Sequence, residues 1–269
     1  MASQRQRTLV RALVEAPWAK PLGLLVIMIV LWELTVRIFR IPAYLIPTPY
    51  DVFLAFRSEG AMLLQESVPT TIATVSGFAL SVLIGIPLAM LIAGSRTVEA
   101  YVYPLLVFSQ SIPKVAIAPL FVVWFGFGMV PKVISAFLLA VFPVVVAGVQ
   151  GFKSVESDMR DLARSMKASP LQTFAMVSLP HALPAIFAGL KVSVTLAVVG
   201  AVVGEFVGAN SGLGFVLQRS IGNFELPTMF AALILLALIG VILFWIVDVV
   251  ERLTVPWHAS QRQDVYVTA

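Results

Sequence analysis

The sequence predicts an all-α membrane protein with six transmembrane helices and both termini in the cytoplasm. Three observations carry that reading. Of the 269 residues, 59% are hydrophobic and only 12% are charged, whereas a soluble domain has about a quarter charged side chains. Six apolar runs reach the roughly 20 residues a helix needs to cross the hydrocarbon core, and none shows the alternation of a membrane β-barrel. With the N-terminus placed inside, 11 of the 18 Lys and Arg residues fall on inner segments and 5 on outer ones, the bias that orients membrane proteins. The net charge of +4 is scattered, so there is no stripe for nucleic acid. There is no Cys, and the only His residues are His181 and His258. Disulfides, thiolate chemistry and Cys-ligated metals are excluded, and no metal or cofactor site is expected.

The elements follow in order. Residues 1–20 form a cytoplasmic amphipathic segment, with 4–19 suited to a basic helix lying on the inner surface. The first span, 21–39, is too long for a signal-peptide core and is followed by Arg37 and Arg40 rather than a cleavage site; Glu33 and Arg37 are spaced to pair along it. IPTP then makes a turn, followed by an amphipathic stretch over 51–66 and the second span, 68–93. The third span, 102–125, contains QSIPKVAIAP, where Pro113 and Pro119 should break or kink the helix and free backbone groups that must face protein or water. Pro113, Lys114 and Pro119 are therefore candidates for a translocation path; the alternative is that Lys114 merely reaches the inner interface.

The fourth span is 133–152 and the fifth 184–207. Lys191, early in the fifth, can snorkel to the inner interface. Gly200, Gly204 and Gly208 repeat every four residues and leave one helix face bare, suited to close helix packing within the chain, at a subunit interface or along a pore. Glu205 lies beside that face near the outer end, a candidate gate or solute contact. NSGLGF should be an outer loop or re-entrant turn. The sixth span is 229–250, with Asp248 and Glu251 at the inner interface, and 251–269 is a cytoplasmic tail. The membrane domain thus runs over 21–250.

The segment between spans four and five is half polar. Val155, Met159, Leu162 and Met166 recur at helical spacing. Ser169 is a good N-cap and Pro170 suits a first helical position, so a first helix should end near Lys167 and a second should run from Pro170 to just before Pro180. Such short helices need something to pack on, and the turn between them should project from the inner face as a knob for a soluble partner; the alternative is an ordinary surface loop that merely connects the spans.

This segment resembles the cytoplasmic loop of permease subunits in bacterial ATP-binding-cassette importers. That loop reads Glu-Ala-Ala, three residues, Gly, nine residues, Ile, one residue, Leu-Pro. Here Asp161, Leu162 and Ala163 stand at the Glu-Ala-Ala, Lys167 at the Gly, Val177 at the Ile, and Leu179 and Pro180 at the Leu-Pro. IPTPYDV, SIPKVAIAPLFVVWFGFG, LPHALPAIFAGLKVS and VVGEFVGANSGLGF are similar to the subfamily serving nitrate, sulfonate, taurine, bicarbonate and vitamin-precursor uptake, and the likeness spans about residues 20–257. It implies the type I importer permease architecture in the inner membrane, a second permease subunit (most simply a homodimer), an external solute-binding protein, and ATPase subunits docking on Asp161, Ala163, Lys167, Ala168, Ser169, Pro170, Leu179 and Pro180. The solute would be small and polar or anionic. Lys167 departs from the pattern, because Gly ends helices in the left-handed conformation at little cost.

The chain carries no G-x-x-x-x-G-K-[ST] phosphate loop, so ATP hydrolysis is expected on a separate polypeptide and no catalytic residue is assigned. A stand-alone secondary transporter or channel is the alternative; it would call for inverted repeats and midplane ion ligands, which are not visible.

Overall fold

The computed structural model describes residues 19–257; the expected surface helix at 4–18 and the tail beyond 257 lie outside them. The described residues are helical, in the order α1 (Ala19–Ile38), α2 (Pro49–Gly94), α3 (Arg96–Ser111), α4 (Lys114–Phe125), α5 (Met129–Lys153), α6 (Ser157–Ser165), α7 (Pro170–Thr173), a π turn (Phe174–Ser178), α8 (Leu179–Gly208), α9 (Leu213–Gly222) and α10 (Leu226–Thr254). Five of these stretches are long and apolar enough to span a membrane, six if α3 and α4 count as one broken span.

One boundary differs from the sequence expectation. The amphipathic stretch 51–66 and the second span are one helix, α2, of 46 residues, about 69 Å at 1.5 Å per residue. It starts at a capping box: the Thr48 hydroxyl accepts from the Asp51 amide at 3.1 Å, and the Asp51 carboxylate accepts from the Thr48 amide at 3.0 Å. Pro69 and Pro87 lie inside it; a proline weakens a helix without obliging it to end when neighbouring helices pack against it. The third span does break, by 92° between α3 and α4. Pro113 bars Ile112 from the helical region, and Ile112 is extended, with φ −80° and ψ 123°. Pro119 sits inside α4 and ends nothing.

The core is a trio of helices, α2, α5 and α8. Their contact surfaces are made of small residues. Ala73, Ala136, Ala140, Ala197 and Ala201 are fully buried at its centre. A Cβ on Gly200 would sit 2.5 Å from the Ser135 carbonyl oxygen, and one on Gly204 2.7 Å from the Lys132 Cα. The bare face read from the sequence therefore meets α5 of the same chain over these two positions. Ser193 adds a polar tie, donating to the Ala140 carbonyl at 2.7 Å. Larger apolar side chains (Ile92, Val144, Val145, Phe187 and Val194) fill the core below. By contrast, α1 exposes nearly all of its apolar side chains, as a lipid-facing helix does.

Candidate functional site

At one end of the trio, α6, α7 and the π turn build a projecting knob. Its turn is well defined. The α6 helix ends with Lys167 in the left-handed region, φ +59°. The Ala168 amide donates to the Ala163 carbonyl at 3.0 Å and the Lys167 amide to the Arg164 carbonyl at 2.9 Å, the paired bonds of a Schellman ending. Lys takes the position that suits Gly best. The next helix opens with a capping box: the Ser169 hydroxyl accepts from the Gln172 amide at 3.2 Å, and the Gln172 side chain accepts from the Ser169 amide at 2.8 Å. Pro170 occupies the first helical turn, as read from the sequence.

The second helix of the knob does not stop before Pro180. After four α-helical residues the chain widens into the π turn and runs on as α8 through Pro180 and Pro184. The Leu179 amide reaches back five residues to the Phe174 carbonyl; this wider register accommodates the N–H that Pro180 lacks. The knob is thus rooted directly in the fifth span. Phe174 packs on Phe152 of α5, ring centroids 5.8 Å apart, and Val155 is buried. The rest of the predicted apolar face is left largely uncovered by the described residues: Leu162 and Met166 are 60% and 76% exposed, and Leu171 and Met176 across the turn 76% and 77%. Between the two arms lies a notch of about 400 Å³ lined by Ala163, Met166, Lys167, Ala168, Gln172 and Met176. Asp161 and Arg164 pair with each other at 3.3 Å.

At the opposite end of α5, about 32 Å away by helical rise, Glu205 is completely buried. Its carboxylate accepts from the Thr70 hydroxyl at 2.9 Å and from the Gly214 amide at 2.8 Å, with the Lys132 ammonium 3.5 Å away. Lys132 donates to the Ser211 carbonyl at 2.7 Å. The Thr70 oxygen accepts from the Leu213 amide at 2.9 Å, and Glu66 accepts from the Gly212 amide. Four successive residues, 211–214, are thus held by side chains from α2, α5 and α8. Gly212, with φ +106°, leaves no room for a Cβ, which would fall 2.1 Å from a Glu205 oxygen. NSGLGF is the turn that this clamp seats together with the first residues of α9.

The remaining sequence candidates lie apart from the clamp. Pro113 and Pro119 are exposed at the α3–α4 elbow, and the Lys114 ammonium turns to the Gln110 side chain across the break. Neither Lys114 nor the prolines touch Glu205. Gly208 faces Phe127 and Val122 rather than α5. Lys191, partly exposed, pairs with Asp248 and, at 2.6 Å, with Glu251, and Arg252 joins Asp248 at 2.7 Å. Both acids are mostly buried, and with Lys191 they tie α8 to α10. Lys132, assigned to an outer loop by the charge count, is 2% exposed. Sequence reasoning missed Thr70, Glu66 and Lys132 as partners of the clamp. The only available signal was Glu205 itself, since an acid within a span needs a partner.

Comparisons with known proteins match this architecture. The sequence profile of the family described as "Binding-protein-dependent transport system inner membrane component" matches residues 81–255. The formylaminopyrimidine transport permease protein ThiX of Halalkalibacterium halodurans is 37% identical over 243 residues, covering 90% of this chain and 97% of that protein. The riboflavin transport system permease protein RibX of Chloroflexus aurantiacus is also 37% identical, covering 93% and 95%. Among solved structures, an inward-facing form of the MetNI methionine ABC transporter superposes with a TM-score of 0.61 at 21% identity, covering 72% of this chain and 98% of that one. Relatives of this kind leave the stand-alone secondary transporter without support. The chain belongs to the binding-protein-dependent transport system inner membrane component family, and it is a permease subunit of an ABC importer.

Proposed function

We infer that this permease takes its ATPase subunits on the knob of residues 155–180 and its solute-binding protein on the opposite, α9 end. The observation that carries this reading is the knob itself: a doubly capped turn rooted in α8, with apolar side chains left exposed among the described residues. Asp161, Ala163, Lys167, Ala168, Ser169, Pro170, Leu179 and Pro180 form or frame the docking surface. The charge bias supports a cytoplasmic knob and cytoplasmic termini, and membership of this family supports the bacterial inner membrane.

The path runs between two permease subunits, most simply two copies of this chain. The irregular backbone at Ile112–Pro113 lies on the surface of the single chain. Within a bilayer such backbone persists only where protein or water covers it. A second subunit and an aqueous path at the elbow, lined in part by Pro113, Lys114 and Pro119, satisfy that condition. Glu205 serves that path indirectly, by holding the α8–α9 turn. The solute is a small polar or anionic molecule. Relatives named for formylaminopyrimidine and riboflavin point to a vitamin or vitamin precursor, and those named for aliphatic sulfonates and taurine to a sulfonate.

The absence of native Cys makes the test direct. Leu171→Cys places one thiol on the exposed tip without touching the Ser169 cap. In native membranes it should crosslink to an ATP-binding-cassette ATPase, with a yield that ATP changes. A thiol that reacts freely with soluble maleimide and captures no such subunit in any nucleotide state would sink the docking assignment.

A further inference from the structure

Residues 165–180 contain a single ionisable side chain, Lys167. It stands at the tip of the knob, exposed, and its ammonium has no ion-pair or hydrogen-bond partner among the described residues. The nearest opposite charge in sequence, Asp161, is already paired with Arg164. The backbone of Lys167 is held in the left-handed conformation, which a residue with a Cβ adopts only under strain. Strain of this kind persists where a side chain is needed in a particular place. Around this cation are the exposed side chains of Met166, Leu171 and Met176 and the notch between the two arms.

We propose that Lys167 is a specificity contact: its ammonium pairs with a carboxylate in the docking groove of the ATPase subunit, while an apolar side chain of that subunit enters the notch beside it. The proposal rests on the docking assignment above and deepens it. Three features of the surface select this occupant. A lone cation on an apolar surface favours a partner with one matching acid and otherwise apolar contact, because a wrong partner leaves the charge desolvated and unpaired. The exposed Met166 and Met176 are flexible and adapt to the shape of an apolar protein surface. The notch of about 400 Å³ between the arms has room for an apolar side chain, which a protein supplies and a lipid headgroup does not; α6 itself is charge-balanced in sequence, Asp158 and Asp161 against Arg160 and Arg164.

The test uses the full permease in nanodiscs and the ATPase subunit captured through Leu171→Cys. Binding is titrated at about 50 and about 300 mM NaCl, a range over which exposed charges become strongly screened, with neutral phosphatidylcholine alone and with added phosphatidylglycerol. Lys167→Gly and Lys167→Gln should bind the ATPase about five- to tenfold more weakly at low salt, the scale of one partly desolvated ion pair, and lose most of the salt dependence. The melting temperature of Lys167→Gly should stay level or rise, which separates lost contact from lost fold. Lys167→Glu should weaken binding further, with recovery when an acid of the ATPase groove is changed to Lys. Variants that bind like the wild type in neutral lipid overturn the proposal, as does weakening confined to phosphatidylglycerol discs, which would assign the cation to headgroups. A wild-type permease that binds no ATPase overturns the docking assignment itself.

Discussion

Glu205 and Lys132 show how buried charge is made tolerable in this protein. Each oxygen of the Glu205 carboxylate is engaged, by Thr70, Gly214 or Lys132, and the ammonium also holds Ser211. Removing one member strands the other in a region without water. Glu205→Ala should lower stability by about 3–5 kcal/mol, seen as a drop in thermal unfolding of the detergent-solubilised protein, and Lys132→Met should act in the same direction. The double variant should cost less than the sum, because the stranded charge disappears with its partner. Strictly additive losses would show that the two groups act separately. The Lys191, Asp248 and Glu251 cluster applies the same logic between α8 and α10.

On the scale of single helices, close approach and interruption set the architecture. The α5–α8 contact has no space for a side chain at Gly204. Gly204→Leu should therefore abolish accumulation of folded protein, whereas Gly23→Leu on α1, where nothing lies within 4 Å, should leave expression near wild type by quantitative blotting. Equal tolerance at both positions would contradict the packing. The elbow depends on one residue. Pro113→Ala removes the bar on a helical Ile112, so α3 and α4 should straighten toward a single helix. Spin labels at Leu105 and Val123 would then move apart, and transport should fall. An unchanged distance would mean that contacts beyond Pro113 hold the bend.

For the molecule as a whole, α8 is the continuous connection. It starts in the knob, passes through the glycine contact with α5, and ends at the clamp that seats residues 211–214. Displacement of the knob therefore reaches the α9 end through one 30-residue helix with no intervening loop. The face left open in the single chain is the elbow, where Val123 is 78% exposed. A Cys at Val123 should crosslink to its own copy in membranes and give a dimer of this chain on denaturing gels. Capture of a different permease polypeptide instead would make the pair a heterodimer.

Composition and local pattern alone determined that the chain is a helical membrane protein, because a shortage of charge and runs of about 20 apolar residues admit few other structures. They also determined the Ser169 and Pro170 start, the projecting knob and the glycine-bare face of α8, since caps and helical periodicity act over a few residues. The tertiary structure alone decided what those features meet. Thr70, Lys132 and Glu205 are up to 135 residues apart, and no local rule pairs them. Pro69 stays inside α2 because neighbouring helices pack against it, and Lys191 pairs with Asp248 because α10 lies beside α8. Short-range backbone preferences are written in sequence; the partner of a buried charge is fixed by which helices the fold brings together.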